Sequence, residues 1–86
     1  DNSSAIKNGI VFTGEYAEFE GGGLANVTLT IKPKKSDAII DLKESKVGKI
    51  LIDGPNVKEI RGLTAEQKEN IEYINGADPE KINFPS

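Results

Sequence analysis

Apolar and polar residues alternate cleanly across Ala25 to Lys32. Val27, Leu29 and Ile31 fall on one side, and Thr28, Thr30 and Lys32 on the other. A period of two predicts a half-buried strand. The stretch from Gly9 to Glu20 is also rich in β-branched and aromatic residues, but its parity changes midway. Ile10 and Phe12 share one parity, and Ala17 and Phe19 share the other with Val11. Gly14 sits at the change, which predicts a bulge or bend there. Gly21-Gly22-Gly23 then breaks the chain, and the pattern reads as a hairpin closed by the triglycine.

Pro33-Lys34-Lys35-Ser36 ends the second strand, because proline cannot donate to a ladder. Three shorter apolar runs follow: Ala38 to Leu42, Val47 to Ile52 and Val57 to Ile60. Between the last two, Asp53-Gly54-Pro55-Asn56 places four turn-favouring residues in a row. Thr64-Ala65-Glu66-Gln67 has the form of a capping box, and Ile71 and Ile74 lie three apart. With Gly76 as the terminating residue, a helix is predicted over 64–75. No repeat of 20–50 residues is evident, which sets solenoids aside.

These elements predict a mainly β (α+β) domain over residues 9–86, preceded by a polar tether over 1–8. Its expected form is a small antiparallel barrel or two-layer sandwich of five or six strands with one short C-terminal helix. The expected core comprises Phe12, Phe19, Val27, Leu29, Ile31, Ile40, Leu42, Ile50, Ile52, Val57, Ile60, Leu63, Ile71 and Ile74.

Composition narrows the chemistry. The 86 residues contain no histidine, cysteine, methionine or tryptophan. The usual general bases, thiolate nucleophiles and transition-metal ligands are therefore missing, and no disulfide adds to stability. An enzyme would have to use carboxylates, lysines, hydroxyls or the two tyrosines. Glu66, Glu69 and Glu72 form an acidic stripe at helical spacing, and Glu15, Glu18 and Glu20 cluster near one turn. Neither set has the aromatic platform of a sugar-cleaving cleft. Ser36 and Ser45 adjoin lysines in turns, without a base to activate them. Asp53 to Asn56 lacks the ligand spacing of a calcium loop. The triglycine leads into a strand, unlike a phosphate-cradling loop, which opens a helix. No enzyme activity, cofactor or metal is expected.

The net charge of −3 is unevenly spread. Residues 1–20 carry −3, residues 32–49 carry +3, and residues from Ile50 onward carry −3. The expectation is a non-enzymatic binding or structural module acting through protein–protein contacts, with Gly21, Gly22, Gly23, Lys34 and Lys35 as contact residues. A homo-oligomer is one form such contacts can take. The alternative is a small nucleic-acid-binding β-barrel using Lys32, Lys34, Lys35, Lys43, Lys46 and Lys49, with Phe12, Tyr16 and Phe19 as stacking aromatics. The acidic balance and the single arginine, Arg61, argue against it. No apolar run approaches the ~20 residues of a membrane span. The small polar opening Asp1 to Ala5 reads like a tether from a cleavage or lipid-attachment site, and the sequons at Asn2 and Asn26 are of a kind that arises often by chance. An exported protein is expected, extracellular or in the cell envelope, of a cell-surface, lipoprotein-like or virion-associated kind.

Overall fold

The computed structural model describes residues 9–19 and 25–85. Among them are strands β1 (Ile10–Phe12), β2 (Tyr16–Glu18), β3 (Thr28–Ile31), β4 (Ala38–Asp41), β5 (Lys49–Asp53), β6 (Val57–Arg61) and β7 (Glu72–Ile74). A five-residue helix α1 (Ala65–Glu69) and a 3-10 turn (Pro79–Lys81) complete the elements. The odd strands form one sheet in the order β1-β3-β5-β7, and the even strands form another in the order β2-β4-β6. Every pair is parallel.

The chain therefore climbs as a coil. Each circuit lays one strand in the first sheet, turns a corner, lays one in the second sheet and returns. Coil 1 holds β1 and β2, coil 2 holds β3 and β4, and coil 3 holds β5 and β6. Coil 4 holds β7 and a single bridging residue, Asn83, which pairs with Glu59. Parallel strands need a long crossover, and here the strand of the opposite sheet supplies it. The molecule is a parallel β-solenoid.

This overturns the antiparallel barrel or sandwich and the exclusion of solenoids. Ile10, Leu29 and Ile50 share one ladder, spaced nineteen and twenty-one residues apart. The hairpin is also corrected. Residues 9–19 do not form one strand, since β1 and β2 lie in different sheets, and β1 runs parallel to β3. An alternating pattern fixes which face is apolar and is silent on strand direction. The parity change at Gly14 is the corner itself: Ile10 and Phe12 face the core before it, Ala17 and Phe19 after it.

The helix predicted over 64–75 does not form as such. The Thr64 hydroxyl accepts from Gln67 N, and Gln67 Oε1 accepts from Thr64 N. After that turn Asn70 N bonds back to Gln67 O and the chain straightens. Glu72, Tyr73 and Ile74 then pair with Leu51, Ile52 and Asp53. A five-residue helix has little stability of its own, and a strand seat on β5 outweighs the helical spacing of Ile71 and Ile74. Gly76 serves in a tight turn with Asn75, both at positive φ, closed by Ala77 N to Ile74 O.

The core lies between the sheets. Leu29, Ile31, Ile50 and Ile52 point in from one, and Ala38, Ile40, Val57 and Ile60 from the other. Val27, Leu42, Val47 and Ile82 are buried near the corners and tail. Phe12, Phe19, Leu63 and Ile71 are half-buried against this cluster.

The corners are tied by polar groups that reach from one coil to its neighbour. Lys34 N donates to Thr13 O, Asn56 Nδ2 to Pro33 O, and Asn75 Nδ2 to Asp53 Oδ1. At the opposite corner Ser45 Oγ donates to Phe19 O and Gln67 Nε2 to Ser45 O. Gly48 makes the closest approach: a Cβ there would lie 2.9 Å from backbone atoms of Ala25, Asn26 and Val27. Its φ is not left-handed, so the demand is for space alone. G48A should therefore lower stability by about 1–3 kcal/mol through overpacking, read as a shift in the urea midpoint. An unchanged midpoint would mean that the coils separate without cost at this corner.

Candidate functional site

Three surface regions carry the chemistry of the described residues. The first is coil 1. Val11 is 62% exposed and Tyr16 52% exposed, and they are the exposed large apolar side chains of the described residues. Both stand on the outer faces, one on each sheet. Each heads an outward ladder: Val11 beside Thr30, which adjoins Leu51, and Tyr16 beside Ile39, which adjoins Glu59. Among the described residues, strands β1 and β2 have a partner on one side only. Glu15 lies 3.9 Å from Lys35, and Glu18 lies 2.8 Å from Lys43, so the acids of coil 1 face lysines of coil 2.

The second region is the set of lysines. Lys32, Lys34 and Lys35 occupy the corner after β3, whereas Lys43 and Lys46 occupy the corner between β4 and β5 and Lys49 opens β5. The two groups lie at opposite ends of β4, whose four residues span about 13 Å. Lys49 further pairs with Glu72 at 3.1 Å. The aromatics are divided as well: Phe12 and Phe19 turn inward against the core, and Tyr16 faces out. The structure thus brings neither the six lysines nor the three aromatics into one patch. Gly21, Gly22 and Gly23 lie outside the described residues, while Lys34 and Lys35 are exposed in the corner that adjoins Glu15.

The third region was not signalled as a site by the sequence. Glu59 and Arg61 stand two apart on β6 and so share its outer face. Glu59 accepts from Arg61 Nε and, at 2.9 Å, from Asn83 Nδ2. The Glu-x-Arg spacing on a strand was the available clue, whereas Asn83 arrives only through the coil. Beside them lies an open depression of about 510 Å3, lined by Glu44, Glu59, Arg61, Gly62, Leu63 and Pro85. A second depression of about 260 Å3 shares Leu63 and Pro85 with it and runs under Phe84, where Lys68 Nζ sits 5.4 Å from the ring centroid.

The bonds from Arg61 and Asn83 hold the Glu59 carboxyl below its ordinary value of 4.5, and Glu59 in turn raises the Arg61 guanidinium. Burial raises the Tyr73 hydroxyl. Each shift locks its group in the form it already has at neutral pH. A general acid or base requires the reverse, a pKa drawn toward neutrality. Among the described residues no side chain that is polar or charged is buried, and no group of acids is placed to hold a metal ion.

Because the folded-state pKa of Glu59 is depressed, its contribution to stability is present above about 4.5 and is lost as the pH falls through the folded value. The urea midpoint of E59Q should therefore lie below that of the parent at neutral pH and converge with it in strong acid. A gap that stays constant across the acid range would show that the Arg61 and Asn83 bonds do not act on the ionised carboxylate.

The chain matches no protein-family model, and comparison with curated proteins and with solved structures finds no match.

Proposed function

We propose that this domain is a non-enzymatic binding or structural module that works through protein–protein contacts, in an extracellular or cell-envelope setting. The observation that carries the reading is the placement of Val11 and Tyr16. These two exposed apolar side chains sit on the same coil, and among the described residues each strand of that coil has a partner on one side only. Exposed apolar groups beside an unpaired edge are the ordinary ingredients of strand addition. The apolar interior of the described residues supports the non-enzymatic part, because among them no buried polar side chain is placed to stabilise a developing charge. A cysteine-free chain is at home in an oxidising compartment, where it has no thiols to misoxidise. Lys34 and Lys35, one coil in from the edge, supply exposed charge at the rim of the same surface.

The reading predicts that immobilised protein enriches a saturable partner from the extracellular fraction of its source. V11S/Y16S should weaken that capture by at least about tenfold, the scale of buried anchors at interfaces, and K34E/K35E should weaken it less. The urea midpoint of V11S/Y16S should hardly move, since both side chains are exposed. Equal capture by parent and V11S/Y16S would overturn the reading.

A further inference from the structure

Seven asparagines punctuate the chain, and two of them, Asn8 and Asn75, are followed by glycine. The following residue decides how readily an asparagine closes on its own backbone. The amide nitrogen of that residue must approach the side-chain carbonyl carbon, and a Cβ next to it obstructs the approach. Glycine has none. Asn26, Asn56 and Asn70 precede valine or isoleucine, and Asn83 precedes phenylalanine. Among the described residues, Asn75 is therefore the asparagine at which this closure is least hindered.

The fold places Asn75 where its conversion would be felt. Asn75 and Gly76 form the tight turn after β7, and both are exposed. The space around Gly76 is open: a Cβ there would meet only Pro55 Cδ, at 3.8 Å. Two bonds tie this turn to the corner of coil 3. Asn75 Nδ2 donates to Asp53 Oδ1 at 2.8 Å, and Gly54 N donates to Ile74 O at 2.9 Å. A third, Ala77 N to Ile74 O at 3.2 Å, closes the turn itself. The same bonds restrain the reaction. While Asp53 holds the side-chain amide, Asn75 is kept on the neighbouring coil and off Gly76 N. Closure waits for a local opening of this corner.

We propose that Asn75 is a site of spontaneous deamidation, gated by Asp53 and by opening of this corner, and that its conversion unties the last described coil. Gly76 N attacks Asn75 Cγ, and the new C–N bond closes a succinimide ring. The Gly76 N–H proton passes through water to the departing side-chain nitrogen, which leaves as ammonia. Water then opens the ring at either carbonyl, giving aspartate or isoaspartate at position 75. Either product breaks the tie. Aspartate tolerates the left-handed backbone, but it sets a carboxylate against that of Asp53 where a donor had been. Isoaspartate adds a methylene to the main chain, which shifts Ala77 N away from Ile74 O. Downstream of the turn lie Ile82, buried in the core cluster, and Asn83, whose backbone bonds to Lys58 and Ile60 extend the second sheet. The loss of ammonia is irreversible, so the state of Asn75 records how often this corner has opened.

The test incubates the whole protein in mildly alkaline buffer and follows each asparagine by mass spectrometry of proteolytic peptides, with the isoaspartyl form separated. Asn75 should convert in the folded protein, and about tenfold more slowly than in urea strong enough to unfold it. In that urea Asn8 and Asn75 should convert at similar rates, since both precede glycine. D53A removes a bond to a charged acceptor, so it should speed conversion of folded Asn75 by at least about threefold and leave the rate in urea unchanged. Should D53A not fold, the parent in sub-denaturing urea gives a second reading of the gate. Conversion there should rise in step with hydrogen exchange of the Gly54 amide. N75D carries the aspartyl product, and it should lower the urea midpoint and speed exchange over residues 72–83. No conversion of folded Asn75 over many unfolded-state half-lives overturns the site. Equal folded and unfolded rates overturn the gate, as does a D53A rate equal to the parent's. An unchanged midpoint and unchanged exchange in N75D overturn the untying of the coil.

Discussion

Leu29 stacks on Ile50, Ile31 on Ile52, and Ile40 on Ile60, and every other feature of the molecule presupposes this in-register stacking of inward side chains between coils. Side chains alternate between faces, so a slip of one residue in any coil would turn its apolar set toward water. The ladders also set the cost of error. Truncating one fully buried isoleucine or leucine removes contacts to the coil below and the coil above together, so the stack loses its continuity as well as its volume. The apolar fraction of the chain is only 36%, and among the described residues every buried side chain is apolar and lies on these ladders or at their corners and tail.

Register in turn depends on corners of unequal length. Three residues separate β1 from β2, six separate β3 from β4, and three separate β5 from β6. The later corners each carry a donor that reaches the coil before: a backbone amide at Lys34, and side-chain amides at Asn56, Asn75 and Gln67. Each bond is worth only about 1 kcal/mol, yet each also fixes the height of one coil relative to the next. Gly48 and Gly62 belong to the same device, since both lie where a side chain would strike the backbone of the coil before. The exposed ion pairs contribute little stability. Their interest is directional, because three of them, Glu15 with Lys35, Glu18 with Lys43 and Lys49 with Glu72, join adjacent coils.

This explains what could be read from the sequence and what could not. The inward residues were legible because burial follows parity: Leu29, Ile31, Ile40, Ile50, Ile52 and Ile60 are where alternation places them. Strand direction was not legible, because a parallel and an antiparallel strand show the same alternation when one face is buried. The solenoid was hidden by its corners. Leu29-x-Ile31-x-Pro33 followed by Ala38-x-Ile40-x-Leu42 has a counterpart in Ile50-x-Ile52 with Pro55, followed by Val57 and Ile60. The insertion of Lys34 to Asp37 in one copy, and an extra residue between Val57 and Ile60 in the other, break any fixed period. The register irregularity at Ala38 and Ile39 against β6 is that extra residue in structural form. Residues 64–75 misled for a different reason. The capping box is local and was visible, whereas the seat for Glu72 to Ile74 on β5 exists only once three coils are stacked.

In a quasi-one-dimensional stack each coil is held by its neighbours, so position along the axis governs both stability and availability. Charge follows the same axis. The middle of the chain, residues 32–49, is basic, and the segments on either side are acidic. Within the stack this sets acid against base at the coil 1 to coil 2 step and again between β5 and β7. Such an arrangement pairs Glu15, Glu18 and Glu72 of the outer coils with lysines of the inner ones. The candidate contact surface at Val11 and Tyr16 is therefore a consequence of the fold's own alternation, whose outward ladders begin at coil 1 among the described residues. No special residue is needed to make it. That is why neither a motif nor a cluster of reactive side chains marks it in the sequence.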